Sequence, residues 1–336
     1  MRCLRTTSRS LLVVIFLAAA LGANAAQPHT VGAPGPICFI PQWTPQAQFA
    51  GYYVAFEKGF YAARGLDVKI LEGGPARPSA EWLQKGAAEF ATMFLSTAIV
   101  ERAKGIRLVN IGQIVARSSQ VLIAKKSSGI KSFRDMNGKK VGLWGGELSI
   151  LPRALFEKYG LHVVAVPQSW SVDLFLRGGV DVASAMMYNE YHAILQAGVD
   201  PDELTVFSLG GLGFNVPEDG IYCMESTFEK DPQTCRRFVQ ASIQGWRYAF
   251  EHPAEALGIV MKYVNEARIA TNGQHQEWML DDIRKAIDLP PPGGSPAAVK
   301  KSDYMAIGGE LMTNAIIHRI PAYSNLFKNC AAVHEK

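Results

Sequence analysis

The stretch from residue 39 to residue 71 constrains the fold of this 336-residue chain more than any other. Phe39 and Ile40 end a short apolar run that is typical of a buried strand. Pro41 stops the run, because proline has no N–H to donate to a neighbouring strand. Aromatic residues then recur at spacings of four, three and four, which marks one face of a helix, at Phe49, Tyr53, Phe56 and Phe60. Residues 66–71 alternate as a second strand, so the stretch predicts a β-α-β unit of the kind that builds parallel sheets.

Residues 1–25 have the pattern of a cleavable signal peptide. Arg2, Arg5 and Arg9 precede an apolar run over residues 11–21, and Ala-Asn-Ala follows at residues 23–25. The apolar run is too short to span a membrane as a helix. We therefore expect a soluble mature protein that is exported to the periplasm.

The charge balance argues against nucleic acid as a partner. The chain has 34 basic and 30 acidic residues, and three of the basic ones belong to the predicted leader. A nearly neutral mature chain without a Lys/Arg cluster gives no electrostatic footprint for nucleic acid.

Four cysteines follow the leader, and they are Cys38, Cys223, Cys235 and Cys330. Export permits disulfides, and four cysteines allow three pairings, between which the sequence does not choose. Buried free thiols are an equal alternative. No Cys-x-x-Cys or histidine-rich spacing indicates a metal site.

Strand and helix patterns fall into two blocks, which predict two lobes. A polar stretch near residues 125–131 marks one change of lobe, and the glycine-rich residues 210–220 mark the return. We assign residues 37–125 and 218–336 to lobe I and residues 126–217 to lobe II. Each lobe is expected to hold a mainly parallel sheet flanked by helices, and the C-terminal region is expected to be helical. Two crossings between lobes make a hinge with a cleft.

Candidate ligand-binding residues follow predicted strands, because ligands of open parallel sheets bind beyond the carboxyl ends of the strands. They are Trp43 with Tyr52 or Tyr53 behind it, Trp144 with Glu147, and Tyr188 with Asn189 and Glu190. Aromatic rings from opposing lobes can sandwich a flat ring, and Asn and Glu side chains can orient its polar edge. Plain packing of Trp43, and a helix-start role for both acids, are the alternatives.

The turn at Gly145 and Gly146 bears on the charge of the ligand. Backbone N–H groups at a helix start attract anions. Glu147 adds a negative charge there, and no Arg or Lys is its neighbour in sequence. This argues against sulfonate, nitrate or phosphate at that turn.

Trp43, residues 48–55, residues 57–61 and residues 65–68 together resemble the opening of periplasmic binding proteins related to thiamine-pyrimidine synthase and to sulfonate-binding proteins. The resemblance covers most of the chain after residue 37. It implies a two-lobed α/β fold of periplasmic binding protein type II. It also implies a monomeric solute-binding component that delivers a small molecule to the permease and ATPase of an ABC importer.

The same resemblance suggests the ligand and two of the residues that hold it. A small aromatic heterocycle is expected in the cleft, and the leading candidate is a pyrimidine precursor of thiamine. Riboflavin and sulfonates such as taurine are the alternatives. Trp43 and Glu190 match the ligand-holding aromatic and acid of the pyrimidine-binding relatives, whereas Tyr52, Tyr188 and Asn189 match less directly.

An enzyme of the pyrimidine-synthase type is the alternative class. Those enzymes carry a cysteine-rich run and a lysine that binds pyridoxal phosphate. This chain has no cysteine between Cys38 and Cys223, and residues 72–79 contain no lysine. We therefore expect no catalysis and no cofactor; a sensor that serves no transporter stays open as a third possibility.

Overall fold

The computed structural model describes residues 35–291, 294, 298–328 and 330, without the side chain of residue 147. The predicted signal peptide, residues 1–25, lies outside the described residues. The strands are β1 Ile37–Ile40, β2 Val68–Ile70, β3 Phe90–Met93, β4 Leu108–Gln113, β5 Gln120–Lys125, β6 Lys140–Leu143, β7 Val164–Pro167, β8 Val182–Met186, β9 Leu204–Ser208 and β10 Gly220–Met224. The α-helices are α1 Ala50–Glu57, α2 Ser79–Gln84, α3 Leu95–Ala103, α4 Ile150–Lys158, α5 Asp173–Leu176, α6 His192–Gln196, α7 Glu225–Lys230, α8 Pro232–Glu251, α9 Pro253–Glu266, α10 Gly273–Ala286, α11 Lys301–Thr313 and α12 Tyr323–Leu326.

The strands form two five-stranded sheets, in the orders β2-β1-β3-β10-β4 and β7-β6-β8-β5-β9. In each sheet four strands run in one direction and one strand is reversed, β10 in the first sheet and β5 in the second. Each reversed strand is the first one after the chain crosses between sheets, over residues 114–119 and 209–219. The expected α/β architecture with mainly parallel sheets and flanking helices is therefore confirmed.

The strand β5 pairs with β8 and β9, so the chain changes sheet before residue 120. The sequence placed the change of lobe later, near residue 125. The division into lobe I and lobe II stays a prediction.

The predicted β-α-β unit opens the first sheet, where β1 and β2 pair in parallel. Its helix face differs from the predicted one, because Phe56 is 40% exposed whereas Tyr52 is fully buried. The helix α1 packs on α8 and α9 as well as on its own sheet, so side chains all around its first turns are enclosed. The first helical turn before α1 begins at Ala47.

Two glycines allow α1 and α8 to cross at close range. A Cβ atom at Gly245 would lie 2.0 Å from the carbonyl oxygen of Gly51, and one at Gly51 would lie 2.2 Å from the ring of Trp246. No real side chain fits at such distances. The two helices therefore depend on these glycines for their separation.

The four cysteines of the described residues are free thiols. Cys223, Cys235 and Cys330 are buried in one apolar cluster, whereas Cys38 is partly exposed. Among the helices of the described residues, none has both the length and the apolar character that a membrane span requires.

Candidate functional site

A cavity of about 380 Å³ lies where strands of both sheets end. Its wall includes Trp43 beyond β1, Phe94 beyond β3, Trp144 beyond β6, Trp170 beyond β7 and Tyr188 beyond β8. Strands of mainly parallel sheets bring such residues together because their carboxyl ends share an edge. The cavity is therefore built by residues from both sheets.

Three tryptophans form its aromatic wall. The ring centroids of Trp43 and Trp170 are 4.6 Å apart in an edge-to-face arrangement. Trp144 and Trp170 are 6.2 Å apart with their planes tilted by 32°. The indole of Trp144 is buried and donates from Nε1 to the carbonyl oxygen of Ser169 at 3.2 Å. Trp170 is 49% exposed, so it retains ring surface for a ligand.

Residues 187–191 form a π-helical turn directly after β8. Such turns are rare in proteins overall. Those that occur are often found at functional sites, because the wider turn redirects side chains. The turn is held from outside by α10, where Trp278 donates from Nε1 to the carbonyl oxygen of Met187 at 3.1 Å. It places Tyr188, Asn189 and Glu190 on the cavity wall.

Glu190 is 6% exposed, and both of its oxygens accept hydrogen bonds within the turn. Oε2 accepts from the backbone N–H of Met186 at 2.9 Å, and Oε1 accepts from Nδ2 of Asn189 at 2.9 Å. Burial raises the pKa of Glu190 to about 7, against the lowering effect of these donors. Each oxygen keeps a second lone pair, so the carboxylate can still accept from a ligand.

A chain of hydrogen bonds runs from Glu190 into the protein. Oδ1 of Asn189 is 2.9 Å from Nε2 of His275, and Nδ1 of His275 is 2.9 Å from Nδ1 of His192. Because Nδ2 of Asn189 donates to Glu190, its Oδ1 must accept, so His275 carries its proton on Nε2 and accepts at Nδ1. The ring of His192 then donates, and it also stacks on Trp278 at 4.7 Å.

The pKa of His275 is lowered to about 4, first by burial and then by His192. A second proton on His275 would meet the donor N–H of His192, so the geometry favours the neutral ring. The neutral histidine pair fixes the orientation of Asn189 and, through it, of Glu190.

A second buried carboxylate, that of Asp219, supports other residues of the cavity wall. Asp219 accepts from Nε2 of Gln48 at 2.7 Å and also from Nε2 of Gln42. Gln48 in turn accepts from Gln46 at 2.5 Å, and all three glutamines line the cavity. Burial raises the pKa of Asp219 to about 7, against these two donors. This acid holds amide groups in place at the wall.

The cavity offers little to a free anion. Among its described wall residues the basic side chain is Lys104, which pairs with Glu101 at 2.7 Å. Glu190 adds a buried acid to the wall. In the described part of the chain, no group of three His, Cys, Asp or Glu side chains could hold a metal ion. The wall therefore suits a neutral or cationic ligand that donates hydrogen bonds.

Five of the eight predicted residues meet at this cavity, and they are Trp43, Trp144, Tyr188, Asn189 and Glu190. Their contact with a ligand stays a prediction. The side chain of Glu147 lies outside the described residues, so its predicted role also stays a prediction.

Tyr52 and Tyr53 lie elsewhere, and placing them at the site was wrong. Tyr52 packs on Phe39 and Trp246, and Tyr53 stacks on Tyr263 at 4.2 Å. Both rings belong to the enclosed core around α1.

Sequence reasoning missed Trp170 and the carboxylate of Asp219. Trp170 follows β7 by three residues, so the rule on strand ends that selected Trp43 and Trp144 would have found it. Asp219 lies just before β10, and only the antiparallel insertion of that strand places it behind the cavity.

Comparison with known proteins shows a shared family. The family model described as NMT1/THI5 like matches residues 46–256. A riboflavin-binding protein of Chloroflexus aurantiacus is 25% identical over 302 residues, with 83% of this chain and 84% of the relative covered. A formylaminopyrimidine-binding protein of Halalkalibacterium halodurans is 22% identical, with 85% and 88% covered.

Enzymes are also among the relatives. A 4-amino-5-hydroxymethyl-2-methylpyrimidine phosphate synthase of Legionella pneumophila is 28% identical, with 66% of this chain and 71% of the enzyme covered. Among solved structures, the periplasmic aliphatic sulphonate-binding protein of Escherichia coli has a TM-score of 0.71 at 16% identity, with 90% and 95% covered. The latter likeness shows the periplasmic binding protein fold.

Proposed function

The chain belongs to the NMT1/THI5-like family, and we propose that it is a solute-binding protein that captures a small aromatic heterocycle, first a pyrimidine precursor of thiamine. One observation carries the proposal. Trp43 from the first sheet and two tryptophans from the second meet around a cavity that also exposes Glu190.

The ring of the ligand would lie against the tryptophan wall with its polar edge toward Glu190. Trp43 and Trp170 touch each other, so the ring lies beside the pair rather than between its members. An aminopyrimidine presents an exocyclic amine next to a ring nitrogen. A buried carboxylate can accept a hydrogen bond from the amine. It can accept a second one from the ring nitrogen when that nitrogen is protonated.

The electrostatics of the site support such a ligand over an anion. Burial raises the pKa of Glu190, because the buried carboxylate has lost the solvent that would stabilise its ionised form. Donors on a ligand would lower that pKa and stabilise the ionised form. A sulfonate would instead meet Glu190 and the paired Lys104.

Riboflavin is the second candidate, and a groove favours it. A groove of about 680 Å³ shares Trp43, Trp170 and Glu190 with the cavity as wall residues. Amides and hydroxyls line it, and they include Gln46, Thr44, Gln196, Thr271, Asn272 and Gln276. Such neutral groups suit the hydroxylated chain of riboflavin. Two of the named relatives are a riboflavin-binding protein and a formylaminopyrimidine-binding protein.

Transport is the setting that we propose for this binding. The protein would be exported through its leader, would act as a monomer and would deliver the ligand to the permease and ATPase of an ABC importer. We propose no catalysis, because the segments in which synthases carry their cysteine-rich run and cofactor lysine have no cysteine and no lysine here.

A thermal-shift screen tests the proposal. The purified protein is unfolded and refolded to remove bound ligand, and is then mixed with 4-amino-5-hydroxymethyl-2-methylpyrimidine, a formylaminopyrimidine, thiamine, riboflavin, taurine and an alkanesulfonate. A ligand at a hundredfold excess over its Kd stabilises by about 2.7 kcal/mol. A shift with a pyrimidine supports the first candidate, and a shift with riboflavin alone supports the second. A shift with sulfonates alone contradicts both.

A further inference from the structure

A small annex of about 30 Å³ lies beside the main cavity. The two share Phe94, Leu148 and Met186 as wall residues. A space of this size holds one water molecule or a substituent of one or two heavy atoms, and a ring does not fit. The wall of the annex also includes Glu218, which the main cavity does not reach.

Glu218 is 3% exposed and is held by both crossings between the sheets. Its Oε1 accepts from the backbone N–H of Ser119 at 2.5 Å. Its backbone N–H donates to the carbonyl oxygen of Val115 at 3.0 Å, and Gln113 donates from Nε2 to its carbonyl oxygen at 3.0 Å. The carboxyl group is therefore fixed in position before any ligand arrives.

The second oxygen, Oε2, is buried and has no hydrogen-bond partner. Buried polar atoms are nearly always paired, because an unpaired one has lost its hydration without gaining a partner. Burial, together with the charge of Asp219, raises the pKa of Glu218 to about 8, against the lowering effects of the N–H of Ser119 and the side chain of Ser118. Oε2 has no hydrogen-bond donor of its own, and a donor at this atom would lower that pKa.

We propose that the annex is a subsite for a small hydrogen-bond-donating substituent of the ligand, an amino or hydroxymethyl group, which donates to Oε2 of Glu218. The inference rests on the proposed function and deepens it. Stacking on the tryptophans selects a flat ring, whereas the annex selects what the ring carries. Its small volume restricts the substituent to one or two heavy atoms.

Calorimetric titration with three pyrimidines tests the subsite. They are 4-amino-5-hydroxymethyl-2-methylpyrimidine, its congener without the amino group, and its congener without the hydroxyl group. Glu218→Gln keeps an acceptor for Ser119 and turns an N–H₂ group toward the annex, where it opposes a ligand donor. Val216→Ile leaves the carboxyl group intact and adds one methylene to the wall of the annex. The matched control is Glu229→Gln, at an exposed site on α7.

We expect both annex variants to bind the parent pyrimidine about tenfold more weakly. Glu218→Gln removes the acceptor at Oε2, and the added methylene of Val216→Ile takes up the space of the substituent. The congener that lacks the annex substituent should lose no more than about twofold in the same variants, and its identity tells which substituent enters. Thermal unfolding without ligand checks that each variant folds. Should Glu218→Gln not fold, Val216→Ile carries the test.

Other outcomes overturn the proposal in distinguishable ways. Equal losses for all three pyrimidines mean that Glu218 acts on the fold and not on a substituent. Unchanged affinities mean that the annex holds only solvent. Wild-type protein that binds none of the three pyrimidines contradicts the first-candidate function, and the subsite falls with it.

Discussion

Glu190 is the residue at which the ligand chemistry is most directly testable. Glu190→Gln keeps the size of the side chain but cannot accept at both oxygens, and it carries no charge. We expect the affinity for an aminopyrimidine to fall by roughly 1.5–3 kcal/mol, the range for a hydrogen bond to a charged group. Titration calorimetry measures the change, with the exposed Glu229→Gln as control. Equal affinity in the variant and the wild type would remove Glu190 from the ligand contacts.

The histidine pair makes a second prediction at the same scale. In the folded protein the pKa of His275 is about 4, below the ordinary histidine value of about 6.5. His275 therefore stabilises the fold while it is neutral. That contribution is present above pH 6.5 and is lost as the pH falls toward 4. Nitrogen-detected NMR should show His275 with its proton on Nε2 until the pH approaches 4. Titration near pH 6.5, or a proton on Nδ1, would contradict the hydrogen-bond chain to Asn189.

Residues at strand ends could be predicted from the sequence, whereas buried partners could not. Trp43, Trp144 and Glu190 each follow an apolar run, and a local pattern is enough to place them. Asp219 and Glu218 lie in a crossing between sheets, and their surroundings come from residues about a hundred or more positions away. No local pattern shows such a contact. Tyr52 was misplaced for the same reason, because α8 covers a face of α1 that its own sequence leaves undetermined.

At the scale of elements, the crossing of α1 and α8 depends on Gly245. A Cβ atom there meets the backbone oxygen of Gly51, which cannot move aside as a flexible side chain would. We expect Gly245→Ala to lower the free energy of unfolding by about 1–3 kcal/mol, the usual cost of overpacking. Denaturant titration measures it. Gly258→Ala, at an exposed position of α9, is the control, because no atom lies within 4 Å of the added Cβ and helix propensity favours alanine.

If Gly245→Ala does not lower the midpoint, the close approach of the two helices is contradicted. The helix α1 was predictable from the spacing of its aromatic residues, and α8 was predictable from its start at Pro232. The contact between the two helices was not predictable, because a glycine inside a helix does not indicate which neighbouring element packs against it. The order of the strands was equally hidden, since the reversed β5 and β10 depend on where each crossing enters a sheet.

At the scale of the whole molecule, the contact between Trp43 and Trp170 links the ends of strands from the two sheets. A hinge between the predicted lobes would open and close this contact. The observed affinity of a hinged protein is its intrinsic affinity multiplied by the fraction of molecules that are closed. An aromatic pair contributes about 0.5–1.5 kcal/mol beyond the effect of its buried area. Loss of the pair should therefore weaken ligand binding by a factor between about two and about ten.

Trp170→Leu tests this link between the site and the hinge. We expect the loss of affinity to come mainly from faster ligand dissociation, because a less stable closed form releases the ligand sooner. Stopped-flow fluorescence measures both rate constants, and small-angle scattering measures the compaction on binding. Phe56→Leu, an exposed ring on α1, is the matched control. A slower association rate with unchanged dissociation would mean that Trp170 guides the ligand inward and does not hold the closed form.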